Sequence, residues 1–197
     1  MKQRWALVAM GAWIAGTVCM SVVATENFYT IDRLLAGSSN AAFSAAVHQL
    51  GQPLARDLLR YLSSELNRLY FQLWNVAQLA IGAVVLWLLA RSRKRDPASA
   101  HRAEDAADVR ELGSVGHAAW GVVAMLASVV LMLVWLTPAI VSLGRSLDFV
   151  PRDPPPPGMQ RFWILHAAYT SLEMLKLVAG IVVTVWITRI ASPARSS

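Results

Sequence analysis

The sequence predicts an all-α integral membrane four-helix bundle, with an exterior amphipathic helical segment between its first and second helices. Three observations predict it. Of the 197 residues 56% are hydrophobic and the mean hydropathy is +0.45, too apolar for an ordinary soluble domain. Four apolar runs, 5–24, 69–90, 118–140 and 162–187, are each long enough to cross a hydrocarbon core about 30 Å thick. Trp5, Trp87, Trp120, Trp135, Trp163 and Trp186 stand near the ends of these runs, where amphipathic rings prefer to lie. The chain is expected to form one membrane domain over 1–197.

The first run follows a basic start and offers Val22-x-Ala24 as a cleavage-like site, so a signal peptide competes with a true span. Its length favours a span. Cys19, the single cysteine, leaves no internal disulfide and no cysteine-cluster metal site. The exterior segment 38–68 carries helical periodicity. Ser38-Ser39-Asn40 opens a helix over Ala41–Leu50, and Pro53 suits the first turn of another. Leu54, Leu58, Tyr61, Leu62, Leu66 and Leu69 then recur at three- and four-residue spacing, opposite Arg56, Asp57, Arg60 and Ser63. That pattern predicts an amphipathic helix lying on the membrane or capping the bundle. The loop 91–117 mixes basic and acidic stretches around Pro97 and is expected to be solvated, with a helix over 103–112. Pro138 is expected to kink the third span near its exterior end. Residues 142–161, with four consecutive prolines from Pro154, read as a stiff, extended connector.

The side holding Lys2, Arg4, the 91–117 loop and the tail after Ile187 carries ten of the 18 basic residues. The other side carries seven, and Lys176 lies within a span. Arg91, Arg93, Lys94 and Arg95 directly abut the second span, where the positive-inside bias acts most strongly. Both termini are therefore expected on the cytoplasmic face of a plasma (inner) membrane. The net charge of +6 is read as topology determinants and attraction to anionic lipid, not as a nucleic-acid surface.

The fourth run contains an acid and a base. Glu173 and Lys176 lie near mid-bilayer, where each ionisable group costs roughly 2.5–3.5 kcal/mol to insert, so such residues pair or face the bundle. His166, Thr170, Glu173 and Gly180 share one face of that helix, with Lys176 beside it. Phe71, Asn75, Gln78 and Gly82 make a stripe at similar depth on the second span. The economical packing sets the two stripes against each other, with Asn75 and Gln78 bonding to Glu173 and the glycines allowing close approach. The expected reading is a satisfied polar clasp; the alternative is a proton- or ion-responsive group. A haem would need His48 beside His166, and no cofactor or metal is expected.

A weak repeat relates Thr25 and Arg33 to Thr137 and Arg145, at equal spacing beyond two outward-going spans. Arg68 and Arg161 open the two inward-going spans, each followed by aromatics. Two hairpins related by a pseudo-twofold along the membrane normal fit this pattern, and it singles out the four exterior arginines.

The Phe162-x-x-x-His166 motif, the Thr137-Pro138 pair and the segment 26–35 give the chain a family likeness over about residues 5–187. It resembles the four-helix membrane family typified by transmembrane protein 205 and its bacterial relatives of unknown function. That family shows Phe-x-x-x-His at the start of its last helix, followed by a small hydroxyl residue and an Asn. Here Ala167 stands where Gly is usual, Tyr169 where Ser is usual, and Glu173 at the Asn-like position. The resemblance implies fold and topology; that family has no assigned biochemical activity, so it adds little about function.

No nucleophile–base pair or metal triad is apparent, so no enzymatic activity is expected. The chain reads first as a non-enzymatic accessory or structural component. The other reading is an oligomeric small-molecule or ion transporter or channel using Glu173 and Lys176. Its expected partners are the lipid bilayer and either further copies of itself or another membrane protein, with no nucleic acid.

Overall fold

The computed structural model describes residues 2–93 and 106–191. Lys94, Arg95, Pro97, His101, the start of the helix expected over 103–112, and the tail beyond Ala191 lie outside the described residues. The described residues form helices joined by short turns, and four of the helices are long and apolar enough to cross a membrane.

Helix α1 (Lys2–Ala36) runs without a break past the expected span end at Ala24. Nothing there interrupts the helix: Thr25 donates to the Ser21 carbonyl (2.8 Å), and Arg33 reaches back to Glu26 (2.5 Å) and Thr30 (2.8 Å). Helix α2 (Ala41–Leu50) starts where the sequence indicated, capped by Asn40 Oδ1, which accepts from the Phe43 N–H at 3.0 Å. Gly51, at φ +80°, turns the chain in a conformation side-chain-bearing residues rarely adopt.

Helix α3 (Gln52–Arg93) then runs for 42 residues, so the amphipathic segment after Pro53 is the outer part of the second span and not a helix of its own. Its leucine side faces outward, as for a helix on the membrane, and the small and polar side packs inward. Ala55, Ser63 and Asn67 are buried, while Leu54, Leu58, Tyr61 and Leu62 are exposed. The reason is a polar seam with α1. Asn27 donates to Asn67 Oδ1 (2.6 Å), Asn67 donates to the Ala24 carbonyl (3.1 Å), and Ser63 to the Asn27 carbonyl (3.2 Å). These directional bonds, with the small Ala55 packed among Ile31 and Leu35, hold that side of α3 against α1.

The third span comprises α4 (Ala106–Leu131), a π-helical turn at Met132–Leu136, and α5 (Thr137–Ser146). The irregularity expected at Pro138 thus lies in the turn before it. Proline lacks an N–H and its ring crowds the carbonyl four residues back; widening the preceding turn relieves both. The proline-rich connector is shorter than expected, because α5 extends to Ser146 and α6 (Met159–Ala191) begins ahead of Arg161. Gly158 adopts φ +93° at that entry.

In cross-section α3 packs on α1 and α4, and α6 packs on the same two helices, so α3 and α6 are diagonal. A twofold along the bundle axis gives this order, but so does any up-down-up-down bundle. The start of α1, the end of α3, the start of α4 and the end of α6 share one core of Met10, Trp13, Leu89, Val122, Met125, Val183 and Ile187. The start of α1 and the end of α6 therefore lie at one end of the bundle; the other is capped by α2 and the 147–158 turn. Only 22–33% of each apolar stretch is buried inside the bundle, so most of that surface faces outward, as a lipid-solvated protein requires.

Candidate functional site

The inward seam of α6 is Tyr169, Glu173, Lys176, Gly180, Val183 and Ile187, all buried and alternately four and three residues apart. Glu173 and Lys176 therefore point into the bundle. Lys176 Nζ donates to Glu173 Oε1 at 2.9 Å and, across the diagonal, to Gln78 Oε1 at 2.7 Å. The same Gln78 oxygen accepts from Trp13 Nε1 at 3.0 Å. One amide oxygen thus ties α1, α3 and α6 together at the level of the ion pair.

This clasp differs from expectation in four respects. Gln78 bonds to Lys176 and not to Glu173, since the ammonium needs acceptors and a carboxylate does not supply all of them. Asn75 is fully buried, and neither its oxygen nor its nitrogen has a hydrogen-bond partner. Thr170 is exposed and donates to its own helix at the His166 carbonyl (3.1 Å), and His166 also lies off the seam. Finally, Gly82 and Gly180 do not bring α3 and α6 together. A Cβ at Gly82 would lie 2.5 Å from Leu126 and 2.9 Å from Trp13, and one at Gly180 would meet Ile14 and Met125. Both glycines serve contacts with α1 and α4.

Above the clasp, toward the capped end, lies a partly open, mostly apolar cavity of about 140 Å³. Phe71, Ile140, Val141, Leu147 and Phe162 line it, with Arg68, Arg152 and His166 also in its wall. Phe162 and His166 stack at 5.9 Å between ring centroids. Tyr169 lines the cavity below them and lies edge-on to Phe71, with centroids 5.4 Å apart. Its hydroxyl lies beside Asn75 and Glu173 but has no hydrogen-bond partner; Glu173 Oε2 and the Thr137 hydroxyl are likewise unpartnered. Tyr169 thus links the cavity to the clasp.

Of the four exterior arginines, the fold unites two. Glu65 receives Arg68, one turn along α3, and Arg145 (3.4 Å); Arg68 also reaches Asp148 at 3.2 Å. Arg33 is paired only within α1, and Arg161 makes no ion pair among the described residues. Burial acts to raise the Glu65 pKa, but hydrogen bonds and charges from Arg145 and Arg68 outweigh it and hold the carboxyl below its ordinary 4.5. A depressed carboxyl stabilises the fold above its unfolded pKa and loses that contribution as pH falls through the folded value. The expected result is that Glu65→Gln lowers Tm modestly at neutral pH and that the difference from wild type fades below about pH 4.5. Thermal unfolding across pH 3–7 checks this; a difference that persists at the acid end would show that the charge network is not its source.

Among the described residues no three His, Cys, Asp or Glu side chains group as a metal site. His48 lines a separate cleft beside α2 and is not brought to His166, so the two do not form an axial pair. Trp13, Tyr169 and Thr137 were missed as site residues. The alternating spacing from Tyr169 to Ile187 could have found Tyr169; nothing local marks Trp13, whose role depends on the fold of α1 against Gln78.

Comparison with protein-family models, curated proteins and solved structures finds no match. The likeness drawn from Phe162, His166, Thr137-Pro138 and the segment 26–35 rests on those residues alone.

Proposed function

We propose that this chain is a non-enzymatic accessory component of a membrane assembly. It sits in the plasma (inner) membrane with both termini cytoplasmic and holds another membrane protein along the outward face of α3. The observation supporting this is a long apolar line, interrupted by Glu65 and Gln72. Leu54, Leu58, Leu62, Leu69, Leu73, Val76 and Trp87 are all exposed, at spacings that keep them on one side of the helix. From Leu54 to Trp87 this line is about 50 Å long at 1.5 Å per residue, against a hydrocarbon core of about 30 Å. Arg56, Asp57 and Arg60 on the other faces, and Glu65 within the line itself, keep the outer part of α3 among water and headgroups. Leucines in a row beyond the acyl chains mark a protein contact.

The fitting occupant is a helix of a second protein that follows α3 out of the bilayer and carries acidic residues at its outer end. Burial lowers the Arg60 pKa and nearby Arg152 and Arg56 push it further down; neither Arg60 nor Arg152 has an ion-pair partner among the described residues. Carboxylates from a partner would relieve that repulsion, whereas a second copy would bring the same arginines. The test is Leu58→Asp with Leu62→Asp, followed by native gel migration of the protein from its own membranes. The expected outcome is release from a larger complex with Tm unchanged. Migration identical to wild type sinks the proposal, and a purified chain that assembles by itself makes the occupant a second copy.

A second reading is an oligomeric small-molecule or ion transporter or channel using Glu173 and Lys176. What favours it is the set of unpartnered polar atoms on Asn75, Tyr169 and Glu173 beneath an open cavity.

A further inference from the structure

We infer that the cavity at the capped end holds an anionic amphiphile, one carboxylate or phosphate on an apolar chain. The head lies at Arg152 and the chain among Phe71, Ile140 and Phe162. This goes beyond the docking face on α3 and uses none of its leucines.

The wall of the cavity has two parts. Phe71, Ile140, Val141, Leu147 and Phe162, drawn from α3, α5, the following turn and α6, give it an apolar body. Its arginines are Arg68 and Arg152, and its carboxylate is Asp148. Arg68 bonds Asp148 at 3.2 Å and also holds Glu65, so these groups satisfy one another. Arg152 has no ion-pair partner among the described residues, and neither has Arg60, which stands near enough for the two charges to repel. The uncompensated charge of the wall is therefore positive and belongs to Arg152. The start of α6 adds to that preference, because Met159 is in the wall and a helix N-terminus favours negative charge.

Position decides how the ligand enters. Of the lining residues only Phe28, Arg152 and His166 are exposed, so the mouth lies among them, between α1, the turn and α6. That puts Arg152 at the mouth and the apolar wall behind it. Trp163, beside Phe162 on α6, is exposed, as aromatic residues are where acyl chains meet headgroups. An amphiphile matches this order, with its head among the charges and its chain turned inward. The cavity of about 140 Å³ is close to the roughly 150 Å³ of apolar space that takes up benzene in an engineered core. It admits a segment of one chain and leaves the rest outside. A neutral molecule leaves Arg152 unused, a cation meets repulsion there, and a small bare anion leaves the apolar wall wet. Only a molecule with both parts uses both.

The test is native mass spectrometry of the full-length protein in non-ionic detergent, titrated with decanoate and, separately, dioleoylphosphatidylglycerol. Decanol and dioleoylphosphatidylcholine, which carry no net charge, serve as their comparators. The expected result is saturable binding of one anionic molecule, roughly tenfold or more tighter than its comparator. Arg152→Gln should remove that margin, and Val141→Trp, which fills the apolar space, should abolish the binding. Arg152 is exposed and outside every helix, so Arg152→Gln carries the test if Val141→Trp impairs folding. Binding of decanoate alone names a free single-chain acid as the source; binding of phosphatidylglycerol names a lipid of the bilayer. Anions and comparators binding equally overturn the proposal, and so does anion binding that Arg152→Gln leaves unchanged.

Discussion

Replacing Lys176 by Met should destabilise the bundle by about 3–5 kcal/mol, the range for removing one member of a buried ion pair. Lys176 and Glu173 are 3% and 6% exposed, so neither can turn to solvent when its partner goes. The substitution removes the donor to Glu173 Oε1 and one of the two donors to Gln78 Oε1, while Glu173 Oε2 already lacks a partner. A carboxylate left without its ammonium in the bundle centre is the main penalty. Glu173→Gln combined with Lys176→Met should recover most of the loss, since replacing both charges by neutral groups of similar size is often close to neutral. Unfolding in mixed micelles measures all three variants. A silent Lys176→Met would mean that the clasp does not hold these helices together.

The same variants separate the two functional readings. In reconstituted vesicles, a clasp gives lost stability and no pH-driven flux to lose. A transporter gives lost flux from a protein that still folds. Measuring both quantities on each variant matters because an unfolded protein also shows no flux.

The second large effect is expected at Gly16. A Cβ built there lies 2.0 Å from the Trp74 indole, with two further ring atoms within 2.8 Å. No real Cβ tolerates such a contact, and an indole ring cannot bend away as a flexible chain end can. Gly16→Ala must therefore displace Trp74 or separate α1 from α3, with a loss of about 1–3 kcal/mol or more typical of overpacking. Trp74→Leu in the same chain should restore much of it by opening the space. A strictly additive pair, with no recovery in the double variant, would show that Trp74 is not what limits the approach.

Much of the fold could be read directly, and the reasons are local. Apolar runs need only be counted against the thickness of a bilayer, and Asn40 announces α2 because its side chain bonds an N–H only three residues on. Helix ends were less legible. The end of the first apolar run does not stop α1, since Thr25 and Arg33 bond within it, whereas Pro53 does stand in the first turn of α3, as its position indicated. The outer part of α3 was legible as an amphipathic helix but not as a continuation of the second span. Its periodicity was plain, but which side meets α1 was not, because three hydrogen bonds among Asn27, Ser63, Asn67 and the α1 backbone set that side.

The candidate site was half legible for the same reason. Glu173, Lys176 and Gln78 stand out as polar residues in apolar runs, and their burial follows from the bilayer. Thr170 and His166 also share a helical face with Glu173, but a face spans a wide arc and only packing against α1 and α4 selects the seam through Tyr169. Arg68 and Arg145 could be suspected from position, whereas their shared acceptor, Glu65, lies 80 residues from Arg145 in the chain.

Residue order and hydrophobicity alone determined that four helices long and apolar enough to cross a membrane are present, and which of their residues carry charge at depth. These follow from solvation, a property of each segment taken singly. Which atoms meet was decided only by the assembled bundle: Trp13 with Lys176 on one Gln78 oxygen, α3 diagonal to α6, and Arg68 with Arg145 on Glu65. Those outcomes depend on rotations of whole helices about their axes, which close packing and a few directional bonds set together and no single segment encodes.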